Sequence, residues 1–334
     1  MTRSLDIYNR LKKEGKPVEL CDTREGRRVQ KKSGWFFATA NVFDADARYM
    51  NGIHYVNLWH GVPIKKIGED MMASIREKTF SKRLKTVFRR YCMPWEFIFN
   101  EAEKITCGSP FFKPFMQSAF LLSDERIILV PELRLERLKQ KEKEALTKQL
   151  DEQYGNPLKV LYMPTFRDNN LDGFNPFAAA NFNKDEFSEV LVSENIVFLY
   201  KSHFLDGSGV DVQTCERIKI INDDDYDDLY SLLKDIDVLV TDYSSVYFDY
   251  LYLHKPIVLF PFDYEEYIKT SRSFYFDYNL MRAKRVYTWT ELADTLKNKT
   301  YYPPSDEEVS LFRPIQLGDC CGYLINQLMH TNKN

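Results

Sequence analysis

Short apolar runs alternate along the chain with longer stretches whose apolar residues have helical spacing. Most of the short runs are continuous, a pattern typical of strands buried on both faces of a parallel sheet. The predicted strands cover residues 35–40, 54–58, 104–107, 126–130, 158–163, 196–201, 217–221, 236–241 and 256–260. Because strands and helices alternate, the sequence predicts an α/β fold with parallel sheets.

One stretch predicts a domain boundary. Residues 132–153 are charged, carry leucines at helical spacing and lead into the turn signal Tyr-Gly-Asn-Pro at 154–157, after which a new strand begins. We therefore expect one domain over 1–155 and a second over 156–334, which suits a chain of 334 residues. Residues 305–330 predict one or two further helices, and their packing back on the first domain is an open option.

The bulk composition narrows the class of protein. Hydrophobic residues make up 44% of the chain and aromatic residues 15%, which is enough for two cores and argues against disorder. The formal net charge of -3 argues against a nucleic-acid binder, since such proteins usually carry a basic excess. The six cysteines show no metal-site spacing and indicate free thiols in a reducing compartment.

The sequence also bears on location. The N-terminus lacks the apolar core of a signal peptide, and no apolar run is long enough to span a bilayer. We therefore expect a cytoplasmic protein, or one bound peripherally to the inner face of the plasma membrane.

Chemically useful side chains follow four of the predicted strands at their carboxyl ends. They are His60, the pair Arg167 and Asp168, the pair Lys201 and His203, and the group Thr241, Asp242, Ser244 and Ser245. Ligands of open α/β sheets bind outside the carboxyl ends of the strands. The four groups together therefore indicate a single cleft.

Each group has both a chemical and a structural interpretation. A histidine ordinarily titrates at about pH 6.5 and can take a proton from a hydroxyl, but His60 also fits a purely structural role. The two serines would begin a helix over 244–254, whose amides and dipole can bind phosphate oxygens, although a plain capped helix has the same sequence. The cationic side chains can bind a diphosphate or form surface ion pairs.

Two charged runs need interpretations of their own. The acidic run DDDYDD at 223–228 resembles the metal-binding motif of some sugar-nucleotide enzymes, but we interpret it as a solvated loop and an acidic helix start. No other cluster resembles a metal site, so neither a metal nor another cofactor is expected. The basic run REKTFSKRLKTVFRR at 76–90 predicts an amphipathic helix, which suits a membrane surface, an anionic polymer or plain solvent exposure.

Four motifs resemble those of the CDP-glycerol glycerophosphotransferase family, which includes teichoic-acid primases and polymerases and related capsule-polymer transferases. They are NLWHGVPIKKIG at 57–68, CGSPFFKPFM at 107–116, MPTFRDN at 163–169 and VLVTDYSSVYFDYLYLHKPIVLFPFDYEEY at 238–267. The resemblance implies a GT-B-like fold, in which two Rossmann-like domains with parallel sheets face each other across a cleft. The activated donor would sit mainly on the second domain.

The resemblance also implies roles for single residues. His60 corresponds to the family's base for the acceptor hydroxyl, and His203 to a second histidine near the donor phosphates, with Phe204 where the family has proline. The implied donor positions are Arg167, Asp168, Lys201, Thr241, Asp242, Ser244 and Ser245, and the implied acceptor-side positions are Gly61, Lys65, Lys66 and Arg134. Val62 in place of threonine, and a degraded segment around Arg134, weaken the expectations for the acceptor more than those for the donor.

The implied reaction is in-line attack at phosphorus. An acceptor hydroxyl, on an anionic polymer or a lipid-linked chain, would lose its proton to His60 and attack the phosphorus that bears the glycerol, and CMP would leave. Three alternatives stay open: CDP-ribitol as the donor, a GT-B glycosyltransferase that uses a nucleotide sugar, and a non-catalytic relative that binds polymer. The sequence does not separate primase from polymerase, and the short first domain leaves an upstream region open.

Overall fold

The computed structural model describes residues 5–20, 24–39, 52–71, 102–165, 167, 175–201, 215–270 and 273–331. Contacts divide the chain into two units. The first comprises Met1–Glu136, Ser273–Tyr275 and Phe312–Asn334, and the second comprises Arg137–Arg272 and Phe276–Leu311. Each unit contains a sheet of parallel strands, and every predicted strand is present to within two residues at each end. The predicted α/β class is confirmed.

In the first unit the described strands form one parallel sheet. They are β1 (Trp35–Ala38), β2 (His54–Asn57), β3 (Lys104–Cys107) and β4 (Ile127–Leu129), and they lie side by side in chain order. The core beside this sheet joins Ile7 with Leu324 and Leu328, which come from opposite ends of the described chain. The first unit is therefore closed by segments that are far apart in sequence.

The sheet of the second unit has six parallel strands. They are β5 (Leu158–Met163), β6 (Ile196–Lys201), β7 (Ile218–Ile221), β8 (Val238–Thr241), β9 (Ile257–Leu259) and β10 (Lys284–Arg285). Their order across the sheet is β10-β9-β8-β5-β6-β7, so that the chain begins in the middle, moves to one edge and then reverses. This is the Rossmann order, and the reversal between β5 and β8 is the switch point at which such sheets bind ligands.

Helices connect the strands of both sheets. The described α-helices are α1 (Leu5–Lys13), α2 (Arg24–Gln30), α3 (Lys113–Phe120), α4 (Ala145–Tyr154), α5 (Lys184–Ser193), α6 (Leu229–Leu233), α7 (Val246–Tyr250), α8 (Tyr264–Thr270), α9 (Trp289–Lys297), α10 (Asp306–Phe312) and α11 (Cys320–Thr331). Short 3₁₀ helices cover Asp124–Arg126, Leu133–Lys139, Pro176–Ala178, Leu251–Leu253 and Tyr278–Leu280. In this described part of the chain, no helix has the length and apolar character needed to cross a membrane.

An aromatic core supports the second sheet. Trp289, at the start of α9, is 1% exposed, and its ring centroid lies 4.9 Å from that of Phe177 and 5.2 Å from that of Phe187. The indole N–H donates to the Pro176 carbonyl at 3.0 Å, so this burial leaves no unpaired donor on the ring. These large buried rings pack in one hydrophobic cluster with side chains of β5 and β6.

The chain passes from the first unit to the second after Glu136, upstream of the boundary expected after residue 155. The helix expected over 132–153 is instead a short 3₁₀ helix followed by α4. The reason lies in Asp235 of the second unit, whose carboxylate accepts a hydrogen bond from the Thr147 hydroxyl of α4 at 2.9 Å. This tertiary contact joins α4 to the second unit, whereas the sequence alone assigned it to the first.

The last part of the described chain returns to the first unit. The Cys321 amide at the start of α11 donates to the Glu136 carboxylate at 2.9 Å. Arg313 forms an ion pair with Glu132 at 3.0 Å, and both side chains are at least nine-tenths buried. The last helix therefore packs in the first unit.

Candidate functional site

The chain turns sharply after β2, and His60 lies on this turn. Trp59 has a φ of 50°, in the left-handed region that tryptophan rarely adopts, and Gly61 has a φ of 145°. The Trp59 ring centroid lies 4.0 Å from that of His60 and 4.8 Å from that of Phe120 on α3. His60 itself is exposed. The turn thus presents an imidazole at the carboxyl edge of the first sheet.

Two buried side chains hold this turn. The side-chain oxygen of Asn57 accepts a hydrogen bond from the Trp59 amide at 2.8 Å, and the Thr106 hydroxyl on β3 donates to the Leu58 carbonyl at 2.7 Å. Asn57 is fully buried, and among the described residues its side-chain nitrogen has no hydrogen-bond partner. Bonds of this local kind stabilise turns. They explain how a tryptophan is kept in a left-handed conformation next to His60.

The residues expected on the acceptor side all lie in the first unit. Gly61 is on the turn, and Lys65 and Lys66 follow it with half-buried side chains. Arg134, in the 3₁₀ helix after β4, is only 3% exposed. The two lysines are therefore more accessible to a ligand than the arginine is.

A small pocket lies beside the turn. Its lining includes Trp59, Gly61, Thr106, Cys107 and Glu132. Burial raises the pKa of the Cys107 thiol to about 12, so the thiol stays protonated near neutral pH and supplies no nucleophile. The exposed imidazole of His60 is the better candidate for proton transfer here.

In the second unit, Arg167 follows β5 and is buried, whereas a surface ion pair was one sequence interpretation. Its Nη2 donates to the Asp242 carboxylate at 2.7 Å. Its Nε and Nη2 donate to the two oxygens of Asp263 at 2.7 and 3.0 Å, in the fork geometry that suits arginine and carboxylate. Burial lowers the pKa of Arg167, but the two carboxylates more than offset this effect and raise it above its ordinary value.

Asp242 and Thr241 tie the turn after β8 to the end of β5. Asp242 is fully buried, and its second oxygen accepts hydrogen bonds from the Thr165 amide at 2.8 Å and the Tyr243 amide at 2.5 Å. The Thr241 hydroxyl donates to the Met163 carbonyl at 2.7 Å. These bonds cross the switch point and fix the backbone there.

Ser244 and Ser245 follow on the same turn and are half-buried, unlike the buried residues before them. The Ser244 hydroxyl accepts a hydrogen bond from the Val246 amide, where α7 begins, at 3.4 Å. The helical conformation continues through the 3₁₀ helix and stops at His254, whose φ is 50°. The helix predicted over 244–254 is therefore present.

Lys201 ends β6 and belongs to a surface ion pair. Its Nζ lies 2.7 Å from the Asp223 carboxylate, which is 73% exposed, and 5.4 Å from the centre of the Tyr226 ring. The hydrogen bond from Lys201 holds the pKa of Asp223 below its ordinary value. The Lys201 side chain is itself 14% exposed, so the pair is open to solvent mainly on the side of Asp223.

The acidic run that contains Asp223 serves as a loop and helix start, as the sequence interpretation had it. Asp228 accepts hydrogen bonds from the amides of Tyr230 and Ser231, the second and third residues of α6, at 3.0 and 3.1 Å. Across the described ranges, no group of three or more histidine, cysteine, aspartate or glutamate side chains could hold a metal ion.

Three predicted features lie outside the described residues. They are Asp168, His203 and the basic run at 76–90. Their roles stay predictions from the sequence.

Two residues of these turns, Asp263 and Asn57, were not predicted from the sequence. Asp263 follows β9, so it carried the same signal as the others, a polar residue after a predicted strand. Asn57 also carried a signal, because asparagine often accepts a hydrogen bond from the amide two residues later.

The family model of CDP-glycerol:poly(glycerophosphate) glycerophosphotransferases matches residues 3–314. The chain is 26% identical over 325 residues to a teichoic acid poly(glycerol phosphate) polymerase of Bacillus spizizenii, covering 91% of this chain and 78% of that protein. It is 28% identical over 258 residues to a teichoic acid glycerol-phosphate transferase of Staphylococcus aureus, covering 73% of this chain and 61% of that protein.

The fold has a counterpart among solved structures. The structure of the wall teichoic acid polymerase TagF matches with a TM-score of 0.75 at 22% identity, over 99% of this chain and 85% of that one. At this level of identity the likeness concerns the fold alone, and it confirms the predicted GT-B-like class.

Proposed function

The chain belongs to the CDP-glycerol:poly(glycerophosphate) glycerophosphotransferase family, and we propose that it transfers glycerol phosphate from CDP-glycerol to a hydroxyl of a teichoic-acid-like or capsule polymer. The observation that carries this proposal is the turn after β8. The buried Thr241 donates a hydrogen bond to the Met163 carbonyl, and the buried Asp242 accepts one from the Thr165 amide. These bonds fix the turn at the switch point of a Rossmann-ordered sheet, where nucleotide ligands bind.

The proposed reaction is a substitution at phosphorus. The acceptor oxygen forms a bond to the phosphorus that carries the glycerol, while the bond from that phosphorus to the CMP oxygen breaks. His60 takes the proton of the acceptor hydroxyl, and CMP leaves with the electron pair of the broken bond. Phosphoryl transfer depends mostly on positioning and electrostatic stabilisation, which exposed cations and fixed polar groups can supply.

We assign the donor phosphates to the half-buried Ser244 and Ser245 and to Lys201. These side chains lie at the carboxyl ends of β6 and β8, the two strands that flank β5. They are more accessible than Asp242. Asp168 and His203 are proposed for the same role from the sequence alone. A histidine beside the phosphates would stabilise charge on the departing CMP.

The acceptor is proposed to be an anionic polymer end or a lipid-linked chain. Lys65 and Lys66, close in sequence to His60, offer positive charge to such a chain. The basic run at 76–90 is the proposed site of peripheral contact with an anionic membrane surface.

The test is CMP release by the purified protein. CDP-glycerol, CDP-ribitol and a UDP-sugar are each supplied with a glycerol-phosphate oligomer, and nucleotide release is measured with and without that acceptor. We expect acceptor-dependent CMP release from CDP-glycerol and a new phosphodiester in the product. Release from CDP-ribitol alone would reassign the donor, and a glycosidic product from the UDP-sugar would contradict phosphoryl transfer altogether.

A substitution of Asn57 tests whether the turn positions His60. Asn57→Leu removes the acceptor for the Trp59 amide, so the left-handed turn should relax and move the imidazole. A displacement of about 1 Å at a reacting group can cost about 100-fold. We therefore expect kcat for CMP release to fall by about tenfold to 100-fold with little change in the KM for CDP-glycerol.

The matched control is Tyr55→Phe, which alters another buried polar side chain of β2 but not the turn. It should keep a near-normal kcat. Equal losses in the two variants would mean that Asn57 acts through general packing and has no specific effect on His60.

A further inference from the structure

Asp263 is not among the residues assigned to the donor phosphates, yet its carboxylate accepts three hydrogen bonds from residues beside them. It follows β9 and precedes α8, and its side chain is 19% exposed. One oxygen accepts from the Arg167 Nη2 at 3.0 Å and from the Tyr243 hydroxyl at 3.0 Å, and the other accepts from the Arg167 Nε at 2.7 Å. Both carboxylate oxygens are thus engaged with residues next to the switch point.

Arg167 passes this constraint to the turn after β8. It forms ion pairs with both Asp263 and Asp242. Asp242 in turn accepts hydrogen bonds from the amides of Thr165 and Tyr243. The chain of contacts therefore runs from the end of β9 through one guanidinium to the backbone of the turn. Buried networks whose members are all bonded fix a single arrangement.

A stack of two rings lies beside the same guanidinium. The centroids of Tyr243 and Tyr267 lie 4.0 Å apart, and the central carbon of the Arg167 guanidinium is 5.2 Å and 4.8 Å from them. Burial, followed by the charge of Asp263, raises the pKa of Tyr243 above its ordinary value, so its hydroxyl stays a donor to that carboxylate. The arginine is therefore bonded to two carboxylates and lies within cation–π distance of both rings.

The charge balance argues against Arg167 as a direct ligand of the diphosphate. One guanidinium between two carboxylates leaves this cluster with a net negative charge, which repels a phosphate. The cluster can help donor binding only through the geometry that it imposes on the turn.

We propose that Asp263 is a positioning residue for donor binding, which acts through Arg167 and Asp242 to hold the turn at residues 241–245 in its binding conformation. This inference rests on the proposed function and refines it, since it gives Arg167 a positioning role in place of direct contact with the phosphates. The two roles predict opposite changes in the Kd for CDP-glycerol when Asp263 is substituted.

The variant is Asp263→Asn, which keeps the shape of the side chain and removes its charge. If Arg167 contacts the diphosphate directly, loss of a competing carboxylate should strengthen donor binding. If Asp263 positions the turn, binding should weaken. We expect the Kd for CDP-glycerol, measured by calorimetry, to rise by about tenfold to 100-fold, the range typical of partners that orient a ligating group, with the acceptor KM unchanged.

The matched control is Asp235→Asn. Asp235 is also a well-buried carboxylate of the second unit, and it binds Thr147 and Lys234 before β8 begins, at the opposite end of that strand. It should lose stability without any change in donor affinity. Equal changes in Kd for the two variants, or tighter binding by Asp263→Asn, would overturn the inference.

Amide hydrogen exchange without donor gives a second readout. Asp263→Asn should speed exchange in residues 241–246 relative to both the wild type and Asp235→Asn, and unchanged exchange there would overturn the inference. If Asp263→Asn does not fold, Tyr243→Phe removes a single bond to Asp263 and should show the same two changes in smaller measure. A wild type that binds no CDP-glycerol would sink the proposed function, while the exchange data would still decide the role of Asp263.

Discussion

His60→Ala is expected to reduce kcat for CMP release by about 100-fold to 10,000-fold, the range for loss of a general base. The imidazole is exposed on a turn that Asn57 and Thr106 fix by hydrogen bonds. No other described side chain of that turn can take a proton near neutral pH. Because His60 is exposed, its removal should leave folding intact. The measurement is single-turnover CMP release at saturating CDP-glycerol and acceptor.

The control for this prediction is His54→Ala in the same unit. His54 begins β2, and its Nδ1 lies 2.6 Å from the Glu103 carboxylate, so it is engaged away from the turn. This variant should retain nearly full turnover. If His60→Ala also retained nearly full turnover, His60 would not be the base, and the turn would more simply be a binding element.

Arg313→Met is expected to destabilise the first unit by about 3–5 kcal/mol, the cost of leaving a buried partner charge without its ion pair. The Arg313 side chain is 0% exposed and that of Glu132 is 9% exposed. Gly108 packs directly on this pair, since a Cβ there would come within 2.5 Å of the Arg313 Nη1. The pair is therefore closely packed against the backbone, and Arg313→Met would leave the Glu132 carboxylate without its partner.

The measurement is urea unfolding followed by hydrogen exchange, which reports on each unit separately. The matched variant is the double substitution Glu132→Met with Arg313→Met, which replaces both charges by apolar groups. Replacement of a whole buried pair is often nearly neutral, so the double variant should recover most of the loss. A double variant as unstable as Arg313→Met alone would show that volume matters here more than charge.

Most of the fold follows from local sequence. The strands were predictable because short continuous apolar runs are visible without any partner, and β5, β6, β8 and β9 are buried on both faces of the second sheet. β10 was missed because Lys284 and Arg285 form a two-residue edge strand with no apolar signal. The extent of α4 and its unit were missed because a residue far along the chain, Asp235, decides them.

In the candidate site, too, local sequence predicts some features, while residues distant in sequence decide others. The residue types at the strand ends could be predicted because they follow apolar runs, but the burial of Arg167 could not. Its partner Asp263 is 96 residues away, and only the placement of β9 beside β8 brings the two together. A sequence shows that a cation follows a strand, whereas the sheet order decides whether that cation faces solvent or a carboxylate.

The core of the first unit joins residues from opposite ends of the described chain, and this has a consequence for biosynthesis. A ribosome delivers the second unit, which ends at Leu311, before it delivers Phe312–Asn334, which the first unit needs to close its core. The sheet that carries the proposed donor site should therefore reach its native fold while the His60 turn still lacks part of its support. Nascent chains stalled with residue 311 outside the tunnel should resist protease in the second unit and be cut readily in the first, so that the capacity for transfer arises only as translation of this region is completed.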